Sequence, residues 1–144
     1  MELDGKIALI LGAAKGIGKA IGMRLAQAGA TVVLTYFDWP EDAARMRQEL
    51  ATLGGKHLAL QVDLREPTQV AELLRQVRER FGRLDILINN IERGGMPVVH
   101  GPYVQEQWEL ELATTLTAKW WVFQEGLPLL KAAGEAVVVT LSSI

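Results

Sequence analysis

Apolar runs that alternate with helix-period segments predict an α/β protein built on a doubly wound parallel sheet. Five runs carry the first half of that reading: Ile7–Leu11, Thr31–Thr35, His57–Val62, Leu84–Asn89 and Ala136–Leu141 are short, rich in Val, Ile and Leu, and nearly continuous. Strands covered on both faces by crossover helices have this pattern, whereas half-wet strands alternate. The second half is order. A helical segment stands between each run and the next, so the sequence reads β-α-β-α-β-α-β-α-β. That calls for parallel strands, right-handed crossovers and the strand order 3-2-1-4-5.

The first helix covers Gly18–Gln27, with Ile21, Leu25 and Ala28 along one stripe. The second, Glu41–Leu53, follows Pro40, a residue suited to a first helical turn. Pro67–Phe81 is the clearest, because Val70, Leu73, Leu74, Val77 and Phe81 recur at helical spacing. The last helix, Val104–Ala132, carries Trp108, Leu112, Leu116, Trp120, Phe123 and Leu127, and Pro128 is expected to kink or shorten its end. Trp108, Trp120 and Trp121 read as core or oligomer-interface residues. Arg75, Arg78, Arg80 and Arg83 read as a solvated helix face balanced by Glu72 and Glu79, and Asp85 as a strand-end charge. The one irregular stretch, Glu92–Tyr103, follows the fourth strand and therefore falls at the carboxyl edge of the sheet, where such folds bind ligands. It reads equally as a wall of a substrate site or as a long connection.

Composition narrows the function. The 144 residues suit one domain, and 49% hydrophobic with 22% charged residues excludes a disordered chain. The absence of cysteine removes disulfides, thiolate zinc sites and Cys nucleophiles, and fits a reducing compartment. His57 and His100 are the only histidines, too few for a multi-histidine metal site or a Ser-His-Asp triad, so no metal is expected. A net charge of −2 gives no footprint for nucleic acid. The apolar runs fall short of the about 18 residues a membrane span needs, and Met1-Glu2-Leu3-Asp4 lacks the layout of a signal peptide. These features predict a soluble, cytoplasmic protein with neither nucleic-acid nor membrane partners.

Gly12-Ala13-Ala14-Lys15-Gly16-Ile17-Gly18 lies between the first strand and the first helix. Glycines there let the backbone turn tightly and approach a pyrophosphate, while the free N–H groups and dipole of the helix favour its charge. The spacing is GxxxGxG rather than GxGxxG, and with it the chain resembles the short-chain dehydrogenase/reductase family. The family's Thr before the first glycine is Leu11 here. Three further motifs resemble the family in order, so that the likeness spans the whole chain. Asp63-Leu64 matches the Asp after the third strand, which the resemblance implies would hydrogen-bond the adenine amino group. Leu87-Ile88-Asn89-Asn90 matches the Asn-Asn-Ala-Gly strand end that lines the cofactor groove. Thr140-Leu141-Ser142-Ser143-Ile144 matches the strand that carries the catalytic serine, which would be Ser143. Ketoacyl and enoyl carrier-protein reductases are nearest in general texture.

The resemblance implies a Rossmann-like domain that binds a nicotinamide cofactor through Gly12, Lys15, Gly16, Ile17, Gly18, Tyr36, Asp63, Leu64 and Asn90. An acidic residue at the end of the second strand would accept from both ribose hydroxyls and repel a 2′-phosphate. Tyr36 takes the first position past that strand, and Asp38 lies two further on, which leaves NAD(H) open. Lys15 stands where NADP users of the family often place a base; it reads either as a phosphate partner or as a solvated loop charge. NADP(H) is the preferred reading.

The family's chemistry needs a tyrosine to exchange a proton with the substrate oxygen, and a lysine four residues later to lower a phenol pKa of about 10. Neither tyrosine here forms Tyr-x-x-x-Lys: Pro40 follows Tyr36 by four, and Gln107 follows Tyr103. Two departures lie within the motifs. Alignment on Trp108 puts Thr115 where the family's relay asparagine stands, and a hydroxyl replaces an amide only in part. Ile91-Glu92 follows Asn90 where the family has Ala-Gly, adding bulk and charge beside the nicotinamide ribose. The expectation is therefore a single dinucleotide-binding domain, residues 1–144, that stops before the family's C-terminal strands and helices. It would be the N-terminal portion of an NADP(H)-dependent oxidoreductase acting on a small carbonyl or alcohol substrate, homo-oligomeric when full length. The alternative is a nucleotide-binding pseudoenzyme or partner subunit without turnover.

Overall fold

A computed structural model describes residues 2–91 and 104–142. Its elements are β1 (Ile7–Ile10), α1 (Gly16–Gln27), β2 (Thr31–Tyr36), α2 (Pro40–Thr52), β3 (Leu58–Gln61), α3 (Pro67–Phe81), β4 (Ile86–Asn89), α4 (Gln105–Leu112), a π-turn (Ala113–Thr117), α5 (Ala118–Ala132) and β5 (Val137–Thr140). The strands form one sheet in the order β3-β2-β1-β4-β5, every neighbouring pair parallel. This is the architecture the alternating runs predict.

The continuous apolar runs follow from two-sided burial. Leu9, Val33 and Leu87 pack on Val70, Leu73, Leu74 and Val77 of α3 and on Val122, Leu129 and Leu130 of α5. Ala8, Ile10, Val32, Leu34 and Ile88 face the other way, against Ala26 of α1 and Met46 and Leu50 of α2. Consecutive strand residues thus enter opposite cores, and no position in β1 is left for a polar side chain. β5 is different. Among the described residues it pairs only with β4, and Val137, Val138 and Val139 are exposed.

Three expectations need correction. The last helix is not continuous: a π-turn adds a residue between α4 and α5, with the Ala118 amide donating back to the Ala113 carbonyl. The Thr114 hydroxyl donates to the Leu110 carbonyl and that of Thr115 to the Glu111 carbonyl, serving groups that the altered turn would leave open. The stripe Trp108, Leu112, Leu116, Trp120 and Phe123 faces outward on both sides of the turn, while Ala118, Val122, Leu129 and Leu130 meet the sheet. Trp121 is half-buried on the core. Pro128 does not end the helix, which runs to Ala132. Among the described residues no helix is long and apolar enough to cross a membrane.

The third correction is Arg83, which belongs to no solvated helix face but pairs with Asp85, at the strand end where it was expected. Asp85 is 2% exposed and ties the amino ends of β1 and β4 together. Its carboxylate accepts from the Ile7 amide at 2.9 Å, from Lys6 at 3.3 Å and from the fork of Arg83 at 3.0 and 2.5 Å. Of the predicted arginine cluster, Arg75 pairs with Glu72 and Glu79 as expected, and Arg83 serves this buried knot instead. Burial alone would raise the Asp85 pKa; the bonds from Arg83, Ile7 and Lys6 outweigh it and hold the carboxyl below its usual range. A depressed folded pKa stabilises the fold above the unfolded value of about 3.9, and that stabilisation disappears as pH falls through the folded value. Asp85→Asn should therefore cost about 2 kcal/mol at neutral pH. It should also flatten the acid limb of stability below about pH 5. Denaturant midpoints measured across pH check both; an acid limb as steep as in the parent would refute the assignment.

Candidate functional site

β1 delivers the chain to the carboxyl edge of the sheet, where Gly12, at φ 70°, turns it back toward α1. The turn is pinned from both neighbouring strands. The Gly12 amide donates to the Thr35 hydroxyl at 3.3 Å and the Ala13 amide to the Thr35 carbonyl at 2.7 Å. From β4, the Asn90 side-chain amide donates to the Gly12 carbonyl at 3.0 Å. Gly18 lies directly beneath: a Cβ there would stand 2.2 Å from the Gly12 oxygen and 2.5 Å from Asn90 Nδ2. The two glycines do different work. Gly12 supplies a conformation, and Gly18 supplies space.

Helix α1 begins at Gly16 with no side chain capping it. Its first-turn amides and positive dipole end are available to an anion. Lys15, Gly16 and Ile17 line an open cleft of about 1160 Å³ that crosses the carboxyl ends of the strands. Ile17 is 63% exposed, a large apolar side chain presented to a ligand rather than to the core.

One end of the cleft lies over β2 and β3. There Lys15 Nζ sits 3.1 Å above the centre of the Trp39 ring. The Asp63 carboxylate is gripped by Arg65 through Nε at 2.8 Å and NH2 at 2.6 Å. These bonds, against burial, hold the Asp63 carboxyl below its ordinary range. The Arg65 guanidinium also lies 5.2 Å from the Phe37 ring centre. The Tyr36 hydroxyl accepts from Arg47 at 3.2 Å. The other end runs past Asn90 and Ile91 to Glu111, Thr114, Thr115, Lys119 and Ser142. Lys119 Nζ donates to the Leu141 carbonyl at 3.3 Å.

Of the residues singled out from sequence, Gly12, Lys15, Gly16, Ile17, Tyr36, Asp63, Leu64, Asn90 and Thr115 all line this cleft, and Gly18 supports its floor. Ser143, Glu92 and the stretch to Tyr103 lie outside the described residues. The Thr115 hydroxyl is turned to the Glu111 carbonyl rather than left to a relay. Sequence reasoning missed Thr35, Phe37, Trp39, Arg65 and Lys119. Only Arg65 carried a signal, a base two residues after a singled-out Asp. His57, read as the start of a strand, uses Nδ1 to accept the Val32 amide, and burial lowers its pKa.

An extended dinucleotide suits this cleft on the structure's own terms. The glycine turn leaves no Cβ between the backbone and a pyrophosphate, the uncapped amides are donors, and the groove continues in both directions from them. The sheet order and the glycine turn into α1 define a dinucleotide-binding domain of the Rossmann type. The particular family follows from comparison. The short chain dehydrogenase family model matches residues 6–144, and the chain belongs to that family of nicotinamide-dependent oxidoreductases.

Relatives agree with that assignment. The chain is 33% identical over 141 residues to a D-beta-hydroxybutyrate dehydrogenase of Rhizobium meliloti, covering 96% of this chain and 54% of that protein. It superposes on a Burkholderia xenovorans protein described as a short-chain dehydrogenase/reductase with a TM-score of 0.86, at 29% identity, over 99% of this chain and 57% of the other. It also matches a metagenomic short-chain oxidoreductase solved in complex with NADP, with a TM-score of 0.82 and 30% identity, over 100% of this chain and 65% of the other. The chain spans about half the length of the curated relatives that it matches from end to end.

The two glycines of the turn give a paired test. Gly18→Ala forces a Cβ into backbone and should cost about 2–3 kcal/mol as well as weakening nucleotide binding. Gly16→Ala meets open space and pays only for its φ of 57°, about 1 kcal/mol. Thermal melts of the two variants decide it, and equal costs would contradict the packing argument.

Proposed function

We propose that the full-length protein is an NADP(H)-dependent oxidoreductase that transfers hydride between the nicotinamide and a small carbonyl or alcohol substrate. One observation carries the cofactor choice. The Lys15 ammonium stands at the cleft beside the uncapped amides of α1, with no carboxylate in ion-pair range among the described residues. Tyr36 occupies the strand end where an acid would repel a 2′-phosphate. In this reading the amides of Gly16, Ile17 and Gly18 bind the pyrophosphate and Gly12 gives it room. Lys15 pairs with the 2′-phosphate beside Tyr36. Asp63 keeps lone pairs for the adenine amino group despite Arg65, and Leu64 packs beneath the base. Asn90 holds the turn and walls the nicotinamide ribose. Ser143 orients the substrate carbonyl. Bound NADPH would supply the hydride.

A second reading, nucleotide binding without turnover, draws on Thr115, whose hydroxyl is committed to the Glu111 carbonyl at the place of the relay asparagine. The outward-facing Trp108, Trp120 and Phe123 support assembly into a homo-oligomer, and a cytoplasmic location is part of the same proposal.

Fluorescence titration should give NADPH at least about tenfold tighter binding than NADH, the scale of one charge-assisted phosphate contact. Lys15→Met should remove most of that difference and leave NADH binding unchanged. Equal affinities in the parent would overturn the NADP(H) assignment. Tight NADPH binding with no oxidation across a panel of carbonyl compounds would favour the reading without turnover.

A further inference from the structure

We propose that Trp39 is a positioning residue for Lys15, holding its ammonium in place as the recognition element for a ribose 2′-phosphate; this rests on the NADP(H) reading above. Three observations converge on Trp39. Its ring centre lies 3.1 Å below Lys15 Nζ, so the contact joins the glycine turn to the β2–α2 turn across the mouth of the cleft. Its backbone has φ 60° and ψ 61°, and it is the only non-glycine residue at positive φ among the described residues. Pro40 follows, and a proline disfavours helical conformations in the residue before it, whichever residue that is. Such a conformation persists only where its surroundings impose it, and it clusters at binding sites. Trp39 is also the residue before the first turn of α2, and its carbonyl accepts the Ala43 amide at 2.8 Å, a bond that the extended N-caps Glu66 and Val104 make as well, so the helix alone does not demand this conformation.

The third observation is the kind of partner Lys15 has. Two carboxylates are near this end of the cleft, Asp38 and Asp63, yet Lys15 forms an ion pair with neither; Asp63 is taken by Arg65. A carboxylate partner would cancel the ammonium charge and compete with a phosphate. A π face attracts the cation without cancelling its charge and leaves its N–H groups beyond the ring free to donate. The rotamer freedom that a lysine normally loses on binding an anion is already lost to the indole. The indole therefore prepares the cation for a dianionic group without competing with it.

The test measures affinity for 2′,5′-ADP and for 5′-AMP by calorimetry, in the parent protein and in Trp39→Ala, Trp39→Phe and Trp39→Gly. The parent should prefer 2′,5′-ADP. Trp39→Ala should cut that preference about fivefold, the equivalent of one partly exposed cation–π contact, while 5′-AMP affinity holds. Trp39→Phe should keep most of it. Trp39→Gly removes the ring and relieves the backbone, so it should match Trp39→Ala in binding while melting no lower; it carries the test should the alanine variant misfold. In the Lys15→Met background, Trp39→Ala should change nothing further, which separates positioning from a structural role. A parent without preference overturns both this proposal and the NADP(H) reading. A parent preference that survives Trp39→Ala overturns the role of Trp39 alone. A preference that rises in Trp39→Ala overturns it too, since the indole would then be withholding Lys15.

Discussion

The constraint on which the site depends is the contact between the start of α1 and the turn after β1. Gly18 sits where any side chain would strike the Gly12 carbonyl, and the Asn90 amide fills the remaining gap with a hydrogen bond to that oxygen. Two positions of one turn and a third 78 residues away are locked within one van der Waals layer. From that lock follow the height of the α1 amino end above the sheet edge, the direction of its dipole and the width of the cleft. Gly12 is confined on its other side by Ile91, whose Cγ2 would lie 3.3 Å from an added Cβ. The Ile that departs from the family's pattern is therefore packed into the same junction rather than left hanging in the groove.

At the opposite end of the same two strands the physics is different. Asp85 joins β1 and β4 through a buried carboxylate that accepts from four donors of the protein itself. A buried charge is tolerable only when fully partnered, and this one leaves little capacity for a ligand. At the carboxyl end, by contrast, donors are left open: the α1 amides have no cap. The strands thus carry their satisfied polar groups at one end and their available ones at the other, the general division of parallel α/β folds.

The fold was legible because two-sided burial writes itself into composition: β1 and the middles of β2 and β4 are apolar between the two cores, with the buried polar Thr35 and Asn89 confined to carboxyl ends, and the continuous runs say so. The glycine turn and Asp63 were legible because each depends on one residue type at one spacing. What resisted reading depends on three-dimensional phase. Trp108, Leu112, Leu116 and Trp120 keep helical spacing, yet that stripe faces outward before and after the π-turn at Ala113–Thr117, and Val122 and Leu129 meet the sheet instead. A one-residue insertion into a helix leaves no local signature beyond a Thr pair. Asp85 was read as a strand-end charge, which it is, but its burial was not legible, since its donors Lys6 and Ile7 are 79 and 78 residues away. Trp39 is hidden because its role arises from a backbone conformation that sequence disfavours.

The β2–α2 turn shows why composition alone understates this cleft. Tyr36, Phe37 and Trp39 each carry a cation against the ring: Arg47 at 5.7 Å, Arg65 at 5.2 Å and Lys15 at 3.1 Å from the ring centres. The chain has a net charge of only −2, yet one short segment holds Lys15 and Arg65 at one end of the groove and Arg47 beside it. Aromatic faces can do this where carboxylates cannot, because they hold a cation without neutralising it. Arg65 is the exception that fits the rule: it is also forked onto Asp63, so much of its charge is spent locally. Within this end of the cleft the uncompensated charge is that of Lys15, beside the open amides of α1. A ligand with phosphate on both sides of a ribose would meet donors at each, and for that reason the pairing of Lys15 with an indole rather than an acid is the most informative detail of the site.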